Sequence, residues 1–267
     1  MSGDGRDLDL SQRDPAYLDR VLPLLRLPVK AWFRSEVRDM ERVPAEGGAL
    51  LVSNHSGGAL AFDVPILAVA FFEHFGTDAP LYCLAHDNMF MGPMGTVMRR
   101  AGMVPATRAN AAAVLESGAV TIVFPGGDHD TLRPSSKRNT IDFAGRTGYV
   151  RTALTAGVPI VPVVSIGGQE TQLFLSRGER LNKLLGIKRV MRTDYFPISF
   201  GFPWGLTPAF PMNVPLPSKI VTQVLEPVDL TTFGPDPDVA AIDEHVRGVM
   251  QDALDELARQ RRFPVLG

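Results

Sequence analysis

The sequence predicts a single α/β domain: a mixed, largely parallel sheet flanked by helices, with an amphipathic helix at the N-terminus. Three observations lead there. Short, unbroken aliphatic runs alternate with segments of helical period. The runs tend to close on glycine, proline or polar residues, as strands do where they meet a loop. The chain has 267 residues, 45% hydrophobic and 21% charged, enough to bury one large core. Neither an internal repeat nor a linker divides it. Residues 1–14 read as a disordered tail, 15–38 as an amphipathic membrane-interface helix, and 39–267 as the main domain.

Residues 15–38 are kinked by Pro23 and Pro28. Their apolar set is Leu22, Leu25, Val29, Trp32 and Phe33, while Arg26, Lys30 and Arg34 share one face. Such a helix suits a membrane interface, and it equally suits packing on the domain with a solvated basic edge. "GALLVSN" is a strand and 62–75 a helix. "LYCLAH" is a strand, followed by a helix near 92–101 and a short strand at "GMVPA". "RANAAAVLESG" is a helix ended by Gly118, "AVTIVFP" a strand, "RTGYVRTALTAG" a helix and "VPIVPVVSIG" a buried strand. Residues 197–217, rich in proline and aromatics, read as loop. "KIVTQVLEPVDL" holds a late strand, and 238–261 an amphipathic helix.

A net charge of -2 gives no argument for nucleic acid. A single cysteine, Cys83, excludes an internal disulfide framework and fits a reducing compartment; inside an apolar strand it reads as a small buried hydrophobe. The polar, acidic start is unlike a signal peptide, and no uncharged apolar stretch reaches 18 residues, so no membrane span is expected. Cysteine and histidine lack metal-ligand spacing, so no metal and no cofactor is expected. His74 and His245 fall on helix surfaces, and His86 follows a strand as a possible pocket residue.

The chemistry gathers where strands end. His55, in "NHSGGALAFD", follows the strand "GALLVS" and precedes Gly57 and Gly58. Imidazole is the usual general base near neutral pH, and a carboxylate fixes its tautomer. Asp63 is the nearest candidate, from the first turn of the next helix; Asp128 and Asp130 are alternatives. "AGMVPATR" and "IVFPGGDHD" also follow strands, in the positions that line ligand crevices of open α/β sheets. Gly126 and Gly127 let backbone approach a ligand and offer amides to an oxyanion. Each stretch alone also reads as an ordinary turn.

Taken together, the stretches resemble the glycerolipid acyltransferase superfamily, across residues 40–170. The family's Asn-His motif with its aspartate matches "NHSGGALAFD", and its Gly-x5-Arg matches Gly102 to Arg108. Its Phe-Pro-Glu-Gly matches Phe124, Pro125, Gly126 and Gly127, and its Val-Pro strand matches "VPIVPV". Two of the motifs depart from the pattern. The common His-x4-Asp is here His-x7-Asp, with Leu60 in the usual acidic position. Gly126 replaces the motif's glutamate, and His129 stands where an arginine is common. "FPGG" followed by Asp130 looks closer to the monoacylglycerol and diacylglycerol acyltransferase-like branch, which uses neutral acceptors; Arg108, Arg133, Lys137 and Arg138 argue the other way.

The resemblance implies transfer of a fatty acyl group from acyl-CoA to a lipid hydroxyl, with His55 as base and Asp63 orienting it. Asn54, Gly57, Gly58, Arg108, Phe124, Pro125, Gly126, Gly127, His129 and Asp130 would line the substrate site. The implied partners are acyl-CoA, a lipid acceptor and a membrane surface, with a peripheral place on the cytoplasmic face. The rival is a lipid-binding protein with an inactive acyltransferase fold. A lipid esterase is disfavoured because no Gly-x-Ser-x-Gly elbow occurs.

Overall fold

The computed structural model describes residues 8–186, 194–263 and 265–267. Its strands are β1 (Glu36–Arg38), β2 (Ala49–Ser53), β3 (Leu81–Ala85), β4 (Met103–Pro105), β5 (Val120–Val123), β6 (Ile160–Ile166), β7 (Leu173–Ser176), β8 (Ile198–Gly201), β9 (Gly205–Pro208) and β10 (Val221–Val224). The helices are α1 (Pro15–Arg26), α2 (Asp63–Phe75), α3 (Gly92–Arg100), α4 (Arg108–Glu116), α5 (Gly127–Thr131), α6 (Gly148–Ala156), α7 (Glu179–Leu185) and α8 (Val239–Gln260).

Seven strands form the main sheet in the order β1-β10-β6-β2-β5-β3-β4. Every neighbouring pair is parallel except β10 with β6. The central strands are apolar throughout because both faces are covered. In β2, Leu50 and Val52 join the core beneath α6 and α8, while Ala49 and Leu51 join the core beneath α1 and α2. Side chains of this kind contribute about 1.5–3 kcal/mol each when fully buried. The C-terminal ends of β2, β3, β4, β5 and β6 share one edge, the usual ligand edge of such a sheet.

The N-terminal segment differs from the sequence expectation. Residues 1–7 of the expected disordered tail lie outside the described residues. Residues 8–14 are ordered: a 3-10 turn at Leu10–Gln12 is capped by Asp9, and the Arg13 guanidinium donates to the carbonyls of Thr77 and Ala79. Asp14 caps α1 and pairs with Arg100. The helix expected over 15–38 ends sooner. It runs through Pro23, widens into a π-helical turn at Leu27–Trp32, and gives way to β1, which pairs with β10. Its basic trio has partners within the chain. Arg26 and Lys30 both reach Glu73, and Arg34 donates to the carbonyls of Pro217, Val265 and Leu266.

A second sheet, β7-β8-β9, is antiparallel. It corrects the reading of 197–217 as loop. Prolines suggested irregular backbone, yet Pro203 sits in the turn and Pro208 ends an edge strand, where a missing N–H breaks no ladder. Among the described residues no helix is long and apolar enough to cross a membrane.

Candidate active site

β2 delivers the chain to the ligand edge two residues before His55. Asn54, expected among the substrate contacts, is instead buried and spent on the fold. Its amide Nδ2 donates to the Ser165 carbonyl at 2.9 Å, and its Oδ1 accepts the Ser165 N–H at 2.8 Å, tying β2 to β6. The next residue is thereby held at a fixed place.

His55 Nδ1 lies 2.8 Å from Asp63 Oδ2. The same carboxylate oxygen accepts the Ser56 N–H at 2.8 Å. The histidine side chain keeps 16% of its surface exposed, the aspartate 3%. The His-x7-Asp spacing closes because the chain turns on itself: Gly57, Gly58 and Ala61 all take left-handed backbone around a 3-10 turn at Gly58–Leu60. Asp63 then opens α2, where the helix N-terminus favours a negative charge. Any Cβ at Gly58 would stand 2.6 Å from Cζ of Phe174, so β7 closes over this loop from outside.

A second carboxylate holds the backbone of the histidine. Asp130, fully buried, accepts the His55 N–H at 2.8 Å through Oδ2 and pairs through Oδ1 with the buried guanidinium of Arg133. Burial raises the Asp130 carboxyl to about 6, against the opposing pull of Arg133 and the His55 N–H. For His55, burial disfavours the imidazolium, but the charge and hydrogen bond of Asp63 and the charge of Asp130 outweigh it. Its pKa lies above the ordinary imidazole value. Phe124 completes the setting by stacking on the imidazole, ring centres 4.2 Å apart.

A family model described as Acyltransferase matches residues 34–166. An uncharacterized protein of Mycobacterium tuberculosis is 35% identical over 261 residues, covering 93% of this chain and 69% of its own. The chain belongs to the acyltransferase family. A Bos taurus protein named DGAT1/2-independent enzyme synthesizing storage lipids is 28% identical over 234 residues, 86% of this chain and 66% of that one. Phytyl ester synthase 1 of Arabidopsis thaliana is 27% identical over 169 residues, 59% of this chain and 24% of that one. The crystal structure of the 1-acyl-sn-glycerophosphate acyltransferase PlsC from Thermotoga maritima overlays with a TM-score of 0.55 at 20% identity. That overlay covers 94% of this chain and 84% of the other, and it shows the shared fold.

In this acyltransferase the glycine motif is a tightly held turn. The amide of Gly127 donates to the Phe124 carbonyl at 3.0 Å, so it is not the oxyanion donor suggested by the sequence. Arg146 clamps the turn, reaching the carbonyls of Pro125 and Gly126 and the Asp128 carboxylate. A Cβ at Gly126 would lie 2.5 Å from that of Asp130. A glutamate at position 126 and Asp130 in its present place exclude each other.

Two further expected substrate residues sit elsewhere. The His129 ring turns from His55 into its own network: Tyr195 OH at Nδ1, and Asp142 and Arg177 at Nε2. Burial opposes the Asp142 charge, but the His129 ring and the Ala144 N–H hold its carboxyl below the ordinary range. Arg108 is exposed at the start of α4, beyond edge strand β4. Three strand spacings of roughly 4.8 Å place that strand about 14 Å from β2. His86 is exposed and its Nδ1 accepts the Asn88 N–H.

Sequence reasoning missed Phe174, Arg146, Arg177, Asp142 and Tyr195. Only Phe174 carried a signal, the apolar run "LFL". The others act through contacts distant in sequence that no local pattern marks.

Proposed function

We propose that this acyltransferase moves a fatty acyl group from acyl-CoA to the hydroxyl of a neutral lipid, with His55 as general base and Asp63 orienting it. The observation that carries this reading is the 2.8 Å contact of His55 Nδ1 with the buried Asp63 carboxylate. It assigns the proton to Nδ1 and leaves Nε2 as the basic nitrogen. Nε2 takes the acceptor's hydroxyl proton while the oxygen attacks the thioester carbonyl carbon. The tetrahedral intermediate expels the CoA sulfur, which leaves with the proton held on His55, and the new ester is released. Asp63 steadies the imidazolium between the two steps. The enzyme itself supplies no nucleophile. The Cys83 thiol, buried in β3, is pushed up to about 12 by that burial, which keeps it protonated.

The neutral acceptor is favoured by the way nearby cations are spent. Arg133 pairs with Asp130, Arg138 with Glu170, Arg146 with the Asp128 carboxylate and the turn carbonyls, and Arg177 with His129. A phosphate would have to take a guanidinium from one of these partners. The names of two relatives, for storage-lipid and phytyl-ester synthesis, are in keeping with this.

The test measures thiol release from acyl-CoA with and without acceptor, in one mixed micelle. Release that depends on monoacylglycerol or diacylglycerol supports the reading. Acceptor-independent release would make the protein a hydrolase, and no release would make it an inactive lipid binder. A preference of about tenfold in kcat/KM for lysophosphatidate, 1.4 kcal/mol in transition-state binding, would overturn the neutral acceptor.

A further inference from the structure

The β7-β8-β9 sheet has its polarity inverted. Alternate residues of a half-buried strand normally turn apolar side chains inward. Here the inward face pairs buried Ser199 with Thr207, whose hydroxyls lie 3.3 Å apart, beside buried Phe174. The outward face is a ladder of Leu173, Phe200 and Leu206, directly opposite one another across the three strands. They are 45%, 53% and 63% exposed. The β8–β9 turn adds Phe202 and Trp204, both also exposed. Asn213 holds that turn rigid, accepting the Trp204 N–H and donating to the Gly205 carbonyl.

We propose that this outward face is a lipid-surface docking element that seats the ligand edge, with His55, against a membrane. Three observations select a lipid surface as its occupant. Between Asp194 and Lys219 the chain carries no charged residue, in a protein where 21% of residues are charged. An interface with water-soluble protein ordinarily keeps a polar rim, whereas insertion among acyl chains requires that charge be absent. Arg180 and Lys183 stand on α7, directly after β7, next to exposed Leu184 and Leu185. Apolar and basic groups are thus interleaved as at a headgroup boundary. Finally, the sheet is continuous with the catalytic loop. Phe174 of β7 packs on Gly58, and Arg177 donates to the His129 carbonyl. A lipid leaving the bilayer beneath the sheet therefore enters beside His55. The basic trio Arg26, Lys30 and Arg34 already has partners within the chain and is not counted toward this face. This inference rests on the reading that the acceptor is a lipid.

The experiment measures flotation of the purified protein with phosphatidylcholine vesicles, with and without phosphatidylglycerol, and with no acyl donor present. Trp32→Phe leaves Trp204 as the single tryptophan. Its emission should shift to the blue on vesicle addition and be quenched by brominated acyl chains. The variant Leu173→Ser/Phe200→Ser/Leu206→Ser changes only solvent-facing positions and should keep its circular dichroism. Each lost side chain removes roughly a tenfold factor of partitioning, so vesicle binding should fall by at least about a hundredfold. Failure of the wild type to float, or an unshifted Trp204, overturns the proposal. So does a variant that binds vesicles normally but converts a dimer to a monomer by light scattering, which would make the face a contact between copies. Should the variant lose its circular dichroism, the Trp204 readout in the Trp32→Phe background decides alone. Docking without acyl transfer would defeat the catalytic reading and leave the docking face standing.

Discussion

Replacing Asp63 by asparagine exchanges one carboxylate oxygen for an amide nitrogen and removes the charge beside His55. The carboxylate faces three donors: His55 Nδ1–H and the Ser56 N–H at Oδ2, and the Val64 N–H at Oδ1. An amide has one oxygen, so it cannot serve both sides. The cheaper orientation keeps the oxygen toward His55 and Ser56, because the Val64 N–H also reaches the Ala61 carbonyl. In that orientation the tautomer survives, and the loss falls on the imidazolium. Two unit charges roughly 4 Å apart at an effective dielectric near 20 attract by about 4 kcal/mol, part of which the amide dipole recovers. The expected fall in kcat is roughly 10²–10³, inside the range for general-base catalysis. The same substitution should move the acid limb of kcat/KM to lower pH, since the Asp63 charge is the main influence opposing burial at His55. Thiol release followed across pH measures both effects. A rate within about threefold of wild type, a barrier change under 1 kcal/mol, would refute the argument, as would an unmoved acid limb.

In the wild type, kcat/KM should rise with pH through a limb above the free imidazole value of about 6.5, because the base form of His55 appears only above its raised pKa; a limb below that value would contradict the ion pair. The linked stability runs the other way: a raised His55 pKa contributes stability below about 6.5 that is lost as pH rises through the folded value, as does the Asp130 carboxyl as pH climbs from about 4 to about 6, which denaturation at several pH values checks. Gly126→Ala puts a Cβ 2.5 Å from that of Asp130 and should cost about 1–3 kcal/mol of stability together with rate, by displacing the group that holds the His55 N–H; an unchanged melting temperature with full activity would rule this out. Gly58→Ala combines a left-handed backbone with overlap on Phe174, so in a Phe174→Ala background, where the overlap is relieved, Gly58→Ala should cost only the backbone share of about 1–2 kcal/mol relative to Phe174→Ala alone, and more than that in the wild type, as denaturation of the four chains would check.

The central sheet was legible because its strands are buried on both faces. "ALLVS", "VTIV" and "IVPVVSI" are continuous apolar runs, which few other structures require, and the helices between them fall where the helical period says. The periphery was less legible for the same reason. β1, three residues long and half-buried, carries no run of its own and exists only because β10 offers it a ladder. The β8–β9 hairpin hides behind prolines and turns its apolar residues outward, against the rule that makes strands readable. His55 and Asp63 could be paired from sequence because a glycine-rich turn makes eight residues close on themselves. The His129 network could not, since Asp142, Arg177 and Tyr195 arrive from three separate segments.

The two departures from the family pattern describe one arrangement around His55. With the aspartate absent from position 60, the residue there is an exposed leucine on the 3-10 turn, and the turn carries the chain to Asp63, at the first residue of α2. The loop thus made is longer and bends through three left-handed residues, so its start needs holding from elsewhere. Asp130 supplies that hold by taking the His55 N–H, and it can sit there only because position 126 has no side chain. The glycine in "FPGG" and the long His-to-Asp spacing are therefore coupled. One carboxylate fixes the imidazole, the other fixes the chain that bears it. Restoring a glutamate at 126 alone would expel the second carboxylate and loosen the first. In this chain the glycine at 126 thus serves first to place His55.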